Sequence, residues 1–518
     1  MASISPAVDD DGVRHGYLLA IDQGTTNTKA ALVDPATGQI LASSARAVGI
    51  EFPAPGWVEQ DAEDLWSVTL AAVEGALAQA PDVPCLGIAI SNQRESVVVW
   101  DRRTGKALGP VLGWQDARTA AWCAELAVAR PDAPALVRSR TGLSLDPMFS
   151  APKMRWALDA ARAAGVATAD IALGTMDAWL VHRLTGEHAT DAGNASRTLL
   201  LDLERLAWSP ELLDLFGIPR ATLPEIRGSD EGFGRTLGSG RLPAGIPVVA
   251  VLADSHAALY HHGCTAPGVG KATYGTGSSI MTPATGPDPA PEGIATTLAW
   301  LVDGVPTYAR EGNIVASGSA LDWMAATLGA PEGISGGAHL TQLAEQVDDA
   351  GGVSFVPAFS GLGAPYWDRG ATGLLSGVTA GTSRAQLARA ALEAVAHQVA
   401  DVVEAIEADG RARIDTLHAD GGATASRVLM QVQADLLGRA VLVADAPEAS
   451  VLGAALLAAR TLGLTAWVPD PGSTVLPGPG DRGERRRQWS RAVARSRGHA
   501  VPRADAEHLT DQGATTPH

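Results

Sequence analysis

The fold is decided by the stretch Tyr17-Leu-Leu-Ala-Ile-Asp-Gln-Gly-Thr-Thr-Asn-Thr-Lys-Ala-Ala-Leu-Val33. Apolar runs at 17–21 and 29–33 predict two antiparallel strands, and the small polar residues 22–27 predict the turn that joins them. Glycine lets the backbone approach a phosphate closely, and the N–H groups and hydroxyls of such a turn are hydrogen-bond donors. The residues alone therefore leave two interpretations open, a phosphate-binding loop and an ordinary hairpin turn rich in Gly and Thr.

The same arrangement returns later in the chain. Residues 270–274 predict a strand, 275–279 (Gly-Thr-Gly-Ser-Ser) a turn, and 280–282 the start of the next strand. A third small-residue turn, 420–423 (Asp-Gly-Gly-Ala), follows a predicted strand at 414–417. Three such turns favour a nucleotide site in a duplicated α/β architecture, because glycines allow a flat ligand to lie on the backbone.

The remaining pattern predicts a chain of alternating helices and strands. Further strands are expected at 40–47, 85–91 and 96–101, and helices at 64–80, 387–408, 451–462 and 483–498. The compact fold is expected to end near residue 470. The helix at 483–498 is basic and is predicted to be solvated, and the last twenty or so residues are predicted to be disordered.

Two further segments carry groups suited to chemistry on an alcohol. Asp254 follows the apolar run 246–252, where open α/β sheets place active-site groups, and its carboxylate can accept a proton from an attacking hydroxyl. It is equally suited to capping a helix. Arg94 and Glu95 follow a predicted strand and offer an adjacent donor and acceptor for a vicinal diol. A surface ion pair is the alternative for these two residues.

Composition limits the classes of function. The chain has 518 residues, 46% of them apolar, and a formal net charge of −18, which argues against nucleic-acid binding. No apolar stretch reaches the roughly 20 residues of a membrane span. Residues 1–15 do not resemble a signal peptide, and the three cysteines have no disulfide-like spacing, so we expect a cytoplasmic protein. A P-loop motif is absent from the sequence.

These motifs resemble the FGGY carbohydrate kinases, with the glycerol kinases as the most similar branch. Two stretches match the family signatures, 148–159 (Met-Phe-Ser-Ala-Pro-Lys-Met-Arg-Trp-Ala-Leu-Asp) and 373–393, which begins Gly-Leu-Leu-Ser-Gly-Val. Glycerol-kinase-like segments are 91–95, 174–179, 191–198, 361–367 and 420–423. The resemblance runs from about Tyr17 to Leu464 and departs from the first signature at Ala157 and Ala160.

The resemblance implies two ribonuclease-H-like domains of the actin-like ATPase type with a central cleft. The expected division is a disordered N-terminus at 1–15, an N-terminal domain at 16–262 with the polyol site and first phosphate loop, a C-terminal nucleotide domain at 263–470, and a terminal helix and tail at 471–518. The implied activity is ATP-dependent phosphorylation of a terminal hydroxyl of a small polyol or sugar. The implied cofactors are ATP and Mg²⁺, a homodimer or homotetramer is compatible with the family, and neither nucleic acid nor membrane is expected as a partner.

The resemblance implies a functional role for each residue of this sequence that matches a functional position of the family. Asp254 is the implied general base, and Asp22 and Asp254 are the implied groups around Mg²⁺. The implied nucleotide contacts are Thr25, Thr26, Asn27, Lys29, Thr276, Gly318, Asp322, Gly422 and Ser426. The implied acceptor contacts are Arg94, Glu95, Trp114, Met148, Asp254, Ser255 and Ser279. Lys29 stands where many members have Arg, Asp322 where glycerol kinase has Gln, and Ser426 where it has Asn.

The acceptor pocket departs from the glycerol kinase pattern. Met148, Ser255 and Ser279 stand where that branch has Tyr, Gln and Phe, so the pocket is predicted to be wider and to offer different hydrogen bonds. A four- or five-carbon polyol or ketose thus rivals glycerol as the acceptor, since about 1–3 kcal/mol per group changes preference by about 10–200-fold. A non-catalytic actin-like ATPase is the competing class, and it has no need of Arg94, Glu95 and Trp114 around Asp254.

Overall fold

The structure, a computed structural model, describes residues 16–331, 333–444 and 448–498. The expected disordered segments, 1–15 and the residues after 498, lie outside the described residues. Within them, two mixed sheets with similar strand order dominate the architecture. None of the described helices is both long and apolar enough to cross a membrane.

The first part of the chain builds one sheet and its covering helices. Its elements are β1 (Tyr17–Gln23), β2 (Asn27–Val33), β3 (Ile40–Ala47), β4 (Glu59–Gln60), α1 (Ala62–Leu77), β5 (Cys85–Asn92), β6 (Val97–Asp101), β7 (Val111–Leu112), α2 (Ala120–Ala129), α3 (Ala133–Thr141), α4 (Ser150–Ala163), β8 (Ile171–Thr175), α5 (Met176–Thr185), β9 (Ala189–Asp191), α6 (Ala192–Ala195), β10 (Leu201–Asp202), β11 (Ala207–Trp208), α7 (Pro210–Phe216), β12 (Glu225–Arg227), β13 (Val248–Ala253) and α8 (Asp254–His261). The main sheet has the order β13-β5-β1-β2-β3. β1, β2 and β3 are antiparallel, whereas β5 lies parallel to both β1 and β13. Helices cover this sheet, which explains the unbroken apolar runs of β1 and β13.

The second part repeats this plan. Its elements are β14 (Gly268–Tyr274), β15 (Ser278–Ala284), β16 (Ala295–Val302), β17 (Val305–Ile314), α9 (Gly318–Thr327), α10 (Gly336–Ala344), β18 (Ser354–Val356), β19 (Leu374–Ser376), α11 (Arg384–Glu407), β20 (Ile414–Asp420), α12 (Arg427–Leu437), β21 (Val441–Val443), α13 (Ala449–Thr461), β22 (Ser473–Val475) and α14 (Arg482–Gly498). The core of its sheet, β17-β15-β14-β20-β21, again joins three antiparallel strands to two parallel ones. The predicted duplication of an α/β unit is confirmed.

Two helices connect the parts. α13 lies between β21 and β22 of the second sheet in the chain, yet it packs against α8 and against β1, β5 and β13 of the first sheet. The hydroxyl of Ser450, at the start of α13, donates to the backbone oxygen of Asp254, 3.1 Å away. The N-terminus of α8 therefore lies between the two sheets. Since α13 crosses to the first sheet, the division at residue 262 remains a prediction.

The C-terminal helix α14 corrects one expectation. The sequence analysis predicts a solvated helix, whereas Trp489, Ala492 and Val493 are buried against the second domain. The indole Nε1 of Trp489 donates to Asp401 of α11 at 2.7 Å, and the Arg486 guanidinium pairs with the same carboxylate. The solvated interpretation was wrong because it considered only the many arginines of this helix. Its three buried apolar residues form a stripe one turn long that packs against the second domain.

Candidate active site

Arg94 and Glu95 lie in a strained turn at the end of β5. Glu95 adopts a φ of 61°, unusual for a residue with a side chain, and the Ser96 N–H donates to the Arg94 carbonyl at 2.7 Å. The Ser150 hydroxyl holds the Glu95 carbonyl at 3.1 Å. Strain of this kind is maintained only where the surrounding structure fixes it, and it concentrates at functional sites. Both side chains are buried, so these residues are not a surface ion pair.

Asp254 is the first residue of α8 and follows the buried strand β13. Its Oδ1 accepts from the Ser255 N–H at 2.6 Å and lies 3.5 Å from Nε of Arg94. Burial raises the pKa of Asp254, and the Arg94 guanidinium partly opposes that rise. A carboxylate with a raised pKa is a better proton acceptor. The side chain remains 37% exposed, so a small molecule in the cleft can reach it.

The first turn joins the acceptor residues to the phosphate loop. The indole Nε1 of Trp114 donates to the Thr25 hydroxyl at 3.0 Å, while Thr26 and Asn27 are exposed. The Lys29 ammonium pairs with Glu448, just before α13, so in this structure its charge already has a carboxylate partner.

Asp22 lies at the carboxyl end of β1 and accepts from the Ser91 hydroxyl at 2.8 Å. Burial raises the pKa of Asp22 to about 6, and the negative charge of Asp254 contributes to that rise. Carboxylate oxygens are the ligands that a hard divalent cation prefers, so the chemistry of Asp22 and Asp254 is compatible with Mg²⁺.

The second turn lies tightly against α9. The N–H groups of Ser317 and Gly318 donate to the carbonyls of Thr276 and Gly275 at 3.0 and 2.9 Å. A Cβ on Gly318 would come within 2.5 Å of the Gly275 oxygen, so only glycine permits this approach. In the third turn Gly421 adopts a φ of 95°, and a Cβ there would lie 2.6 Å from the backbone oxygen of Tyr274. The second and third turns are thus in contact.

Together these two turns line a cavity of about 560 Å³, a size typical of small-molecule sites. Thr276, Gly318, Asp322, Gly422 and Ser426 all line it, as the sequence predicts. The Ser426 hydroxyl also caps α12 and accepts from the Thr341 hydroxyl at 2.7 Å.

Several lining residues were missed by the sequence analysis. Ser335, Gly337, Ala338 and Thr341 face the same cavity from the start of α10. Ser335 caps α10 by accepting from the Ala338 N–H. The signal was a Ser before a helical pattern, which is typical of an N-cap.

The structure also adds charged residues to the acceptor side. Glu311 of β17 and Arg197, just after α6, are buried and join Arg94 and Glu95 in a network of ion pairs. The Ser279 hydroxyl donates to Glu311 Oε1 at 3.3 Å, which places this predicted pocket residue beside Arg94.

Lys153 holds the chain segments of Met148 and Trp114 close together. The sequence analysis included Lys153 only as part of a family signature. The buried ammonium of Lys153 donates to the carbonyls of Met148 and Gly113, at 2.7 and 3.1 Å. Of the predicted acceptor residues, Arg94, Glu95, Asp254, Ser255 and Ser279 thus form one connected group, and Met148 and Trp114 form a second one beside it.

Comparison with known proteins identifies the family. Residues 17–260 match the N-terminal domain of the FGGY family of carbohydrate kinases, and residues 270–462 match its C-terminal domain. The chain belongs to this family. It is therefore an ATP-dependent carbohydrate or polyol kinase, and the alternative of a non-catalytic ATPase was wrong.

Individual members of the FGGY family resemble this kinase over most of its length. A glycerol kinase of Geobacter sp. (strain M21) is 45% identical, over 85% of this chain and 89% of its own. An apulose kinase of Pectobacterium atrosepticum is also 45% identical, over 93% of this chain and 98% of its own. Among solved structures, Plasmodium falciparum glycerol kinase with ADP superposes with a TM-score of 0.84 at 28% identity, covering 93% of this chain and 98% of its own. Xylulose kinase from Rhodospirillum rubrum gives 0.82 at 27% identity, covering 94% and 100%. The predicted two-domain actin-like fold is confirmed.

Proposed function

We propose that this kinase phosphorylates a terminal hydroxyl of a four- or five-carbon polyol or ketose, with Asp254 as the general base. The proposal rests on one observation. The residues expected to bind the acceptor hydroxyls are retained, whereas two side chains of the proposed pocket are shorter than those of glycerol kinases. Arg94 and Glu95 stand beside Asp254, whereas Ser255 and Ser279 occupy positions where glycerol kinases have longer residues. The relatives include kinases named for glycerol and for apulose at equal identity, so their names support both acceptor sizes.

The pocket argument rests on size and on hydrogen bonds. The Ser279 hydroxyl donates to Glu311, so in the proposed pocket this side chain lies at the wall and leaves the space that a phenyl ring would fill. Ser255 is half-buried next to the base, and Met148 has no phenolic hydroxyl to offer. A longer acceptor can occupy this additional space, and its additional hydroxyls can form hydrogen bonds with the polar groups at the wall of the proposed pocket.

In the proposed reaction the acceptor hydroxyl gives its proton to Asp254. The acceptor oxygen forms a bond to the γ-phosphorus of ATP as the bond from that phosphorus to the β–γ bridging oxygen breaks, which leaves ADP. We expect the N–H groups of Thr25, Thr26 and the turn at 275–277, and Lys29 once it leaves Glu448, to stabilise the charge that develops on the phosphoryl oxygens. Closure of the domains would exclude water, whose attack would waste ATP.

Mg²⁺ is the proposed partner of Asp22 and Asp254. Asp22 is expected to hold it through water, as a carboxylate at a strand end beside the phosphate loop. When bound, the ion supplies positive charge to the phosphate oxygens. The homodimer or homotetramer, the cytoplasmic location and the absence of nucleic-acid and membrane partners remain predictions from the sequence.

A coupled ATP-consumption screen over glycerol, tetritols, pentitols and ketoses tests the proposal. We expect a higher kcat/KM for a four- or five-carbon acceptor than for glycerol. The double variant Ser255→Gln/Ser279→Phe refills the pocket and should shift the preference toward glycerol by about 10–200-fold. Ser67→Gln, at an exposed position of α1, is the control and should leave the preference unchanged. A wild-type preference for glycerol above all other acceptors would contradict the wider pocket.

A further inference from the structure

Four charged side chains form a closed ring beside the proposed acceptor site. Arg94 Nη2 lies 2.5 Å from Glu311 Oε1, and Arg197 Nη1 lies 2.8 Å from Glu311 Oε2. Arg197 Nε donates to Glu95 Oε1 at 2.6 Å, and that oxygen lies 3.9 Å from Arg94 Nε. The most exposed of these side chains is only 8% exposed, so their interactions are weakly screened by solvent.

The ring is completed by a residue from the other half of the molecule. Arg94, Glu95 and Arg197 belong to the first domain, whereas Glu311 is in β17 of the second sheet. Glu311, like Glu95, lies within ion-pair distance of both guanidinium groups. The ring is therefore complete only while the two domains are in contact.

We propose that Glu311 is a positioning residue that aims Arg94 at the acceptor and makes assembly of the acceptor site depend on contact between the two domains. This inference rests on the proposed placement of the acceptor against Arg94 and Asp254. Glu311 itself is not expected to touch the reacting atoms. Its effect is exerted through Arg94.

The geometry around Arg94 gives the physical reason. Glu311 holds Nη2, and among the described residues Nη1 has no hydrogen-bond partner although it is buried. Nη1 is therefore the donor left for an acceptor hydroxyl. Asp254 Oδ1 lies only 3.5 Å from Nε. Without Glu311, Arg94 would turn toward Asp254 and would occupy the carboxylate that has to accept the proton.

Glu311 is charged throughout the pH range in which a kinase is assayed. Burial opposes its ionisation, but the guanidinium groups of Arg197 and Arg94 outweigh burial and hold the pKa of Glu311 well below its usual value. The ring then contains two positive and two negative charges. Replacing Glu311 by Gln leaves one excess positive charge in a buried site, and replacing Arg197 by Met leaves one excess negative charge.

Because the charges of the ring balance, a double variant can distinguish a positioning role of Glu311 from a purely structural role. The double variant Glu311→Gln/Arg197→Met restores neutrality, so its melting temperature should recover relative to each single variant. Arg94 still lacks its carboxylate in the double variant. If Glu311 positions Arg94, the acceptor KM of the double variant stays above that of Arg197→Met, which alone measures the effect of freeing Glu95, although the stability recovers.

The experiment measures the melting temperature, the KM of the acceptor and the KM of ATP for the wild type, both single variants and the double variant. We expect Glu311→Gln and the double variant to raise the acceptor KM by about 10- to 100-fold, with the KM of ATP unchanged. Asp409→Asn is the matched control, because Asp409 pairs with Arg310, the neighbour of Glu311 on β17. This control should leave both KM values as in the wild type.

Two results would overturn the inference. One is an acceptor KM that recovers together with stability in the double variant. The other is an equal rise of both KM values in Glu311→Gln, which would indicate a general disturbance of the fold. A wild-type preference for glycerol would contradict only the proposed pocket size, because the same comparison of variants then runs with glycerol as the acceptor.

Discussion

At the scale of single residues, the acceptor site depends on buried charges whose partners are far away in the sequence. Arg94 has Glu311 and Asp254 within ion-pair distance; Asp254 begins α8 in the first half of the chain, and Glu311 lies in β17 of the second sheet. Such groups are stable in a protein interior only when they are paired. The charge state of Asp254 is therefore a property of the assembled pair of domains.

Lys153 provides a test at this scale. Burial lowers the pKa of its ammonium from the usual 10.5 to about 7. Between these pH values the unfolded chain holds a proton that the folded chain lacks, so raising the pH through this window favours the folded state. Lys153→Met removes this effect and leaves two carbonyl oxygens without their donor, which costs about 1–3 kcal/mol.

We therefore expect the melting temperature of the wild type to rise relative to that of Lys153→Met between pH 7 and pH 9, because only the wild type gains stability as the pH rises through this window. Thermal unfolding at the two pH values measures it. Lys106→Met, at an exposed turn, is the control. A gap that is equal at both pH values would mean that Lys153 is already fully charged or fully neutral across this range.

Asp22 provides a second residue-scale test, of metal binding. If its carboxylate holds Mg²⁺ through water, Asp22→Asn should raise the Mg²⁺ concentration for half-maximal activity by about 10–100-fold. The KM of the acceptor should not change. Asp34→Asn, at the other end of the same hairpin, is the control. Equal Mg²⁺ requirements for Asp22→Asn and the wild type would remove Asp22 from the metal site.

The sequence predicts individual site residues well where a short motif surrounds them, and poorly where it does not. Asp22, Thr25 and Thr276 lie in turns that are recognisable locally. Glu311 lies within an ordinary strand, and its role exists only because Arg94 and Arg197 converge on it. No local pattern encodes that convergence.

At the scale of elements, the close contact of α9 with the second turn is expected to govern nucleotide binding. Gly318→Ala would bring a methyl group within 2.5 Å of the Gly275 oxygen, and the turn would have to move. Overpacking of this kind costs about 1–3 kcal/mol, equivalent to about 5–150-fold in a binding constant. We expect the affinity for ADP to fall by that factor, as measured by calorimetric titration.

Gly286→Ala is the matched control, because a Cβ there meets no atom within 4 Å. It should bind ADP as the wild type does. Unchanged ADP binding by Gly318→Ala would show that the turn does not contact the nucleotide.

Most elements were predictable because their apolar pattern is strong. The strand at Ile40–Ala47 has the predicted bounds, and the long helix predicted at 387–408 is α11, Arg384–Glu407. α14 shows where this approach fails. The helix is so polar overall that its sequence does not indicate a buried face. The burial of Trp489, Ala492 and Val493 becomes apparent only in the folded structure, where they pack near α11.

At the scale of the whole molecule, the two halves of the chain meet at Arg94, which lies within ion-pair distance of Asp254 in the first half and of Glu311 in the second. The family motifs made the two-domain architecture predictable. The crossing of α13 to the first sheet was not, because the sequence of an alanine-rich helix does not specify which sheet it covers. That crossing places Glu448 against Lys29 and Ser450 against Asp254, so both domains contribute to the environment of the base.

The central claim is that Asp254 accepts the proton of the acceptor hydroxyl. The most direct measurement is the single-turnover rate of phosphoryl transfer by Asp254→Asn, together with its affinity for ADP. We predict that the rate falls by at least about 10²–10⁴-fold while ADP binds as tightly as to the wild type. Phosphoryl transfer at the wild-type rate in this variant would contradict the account.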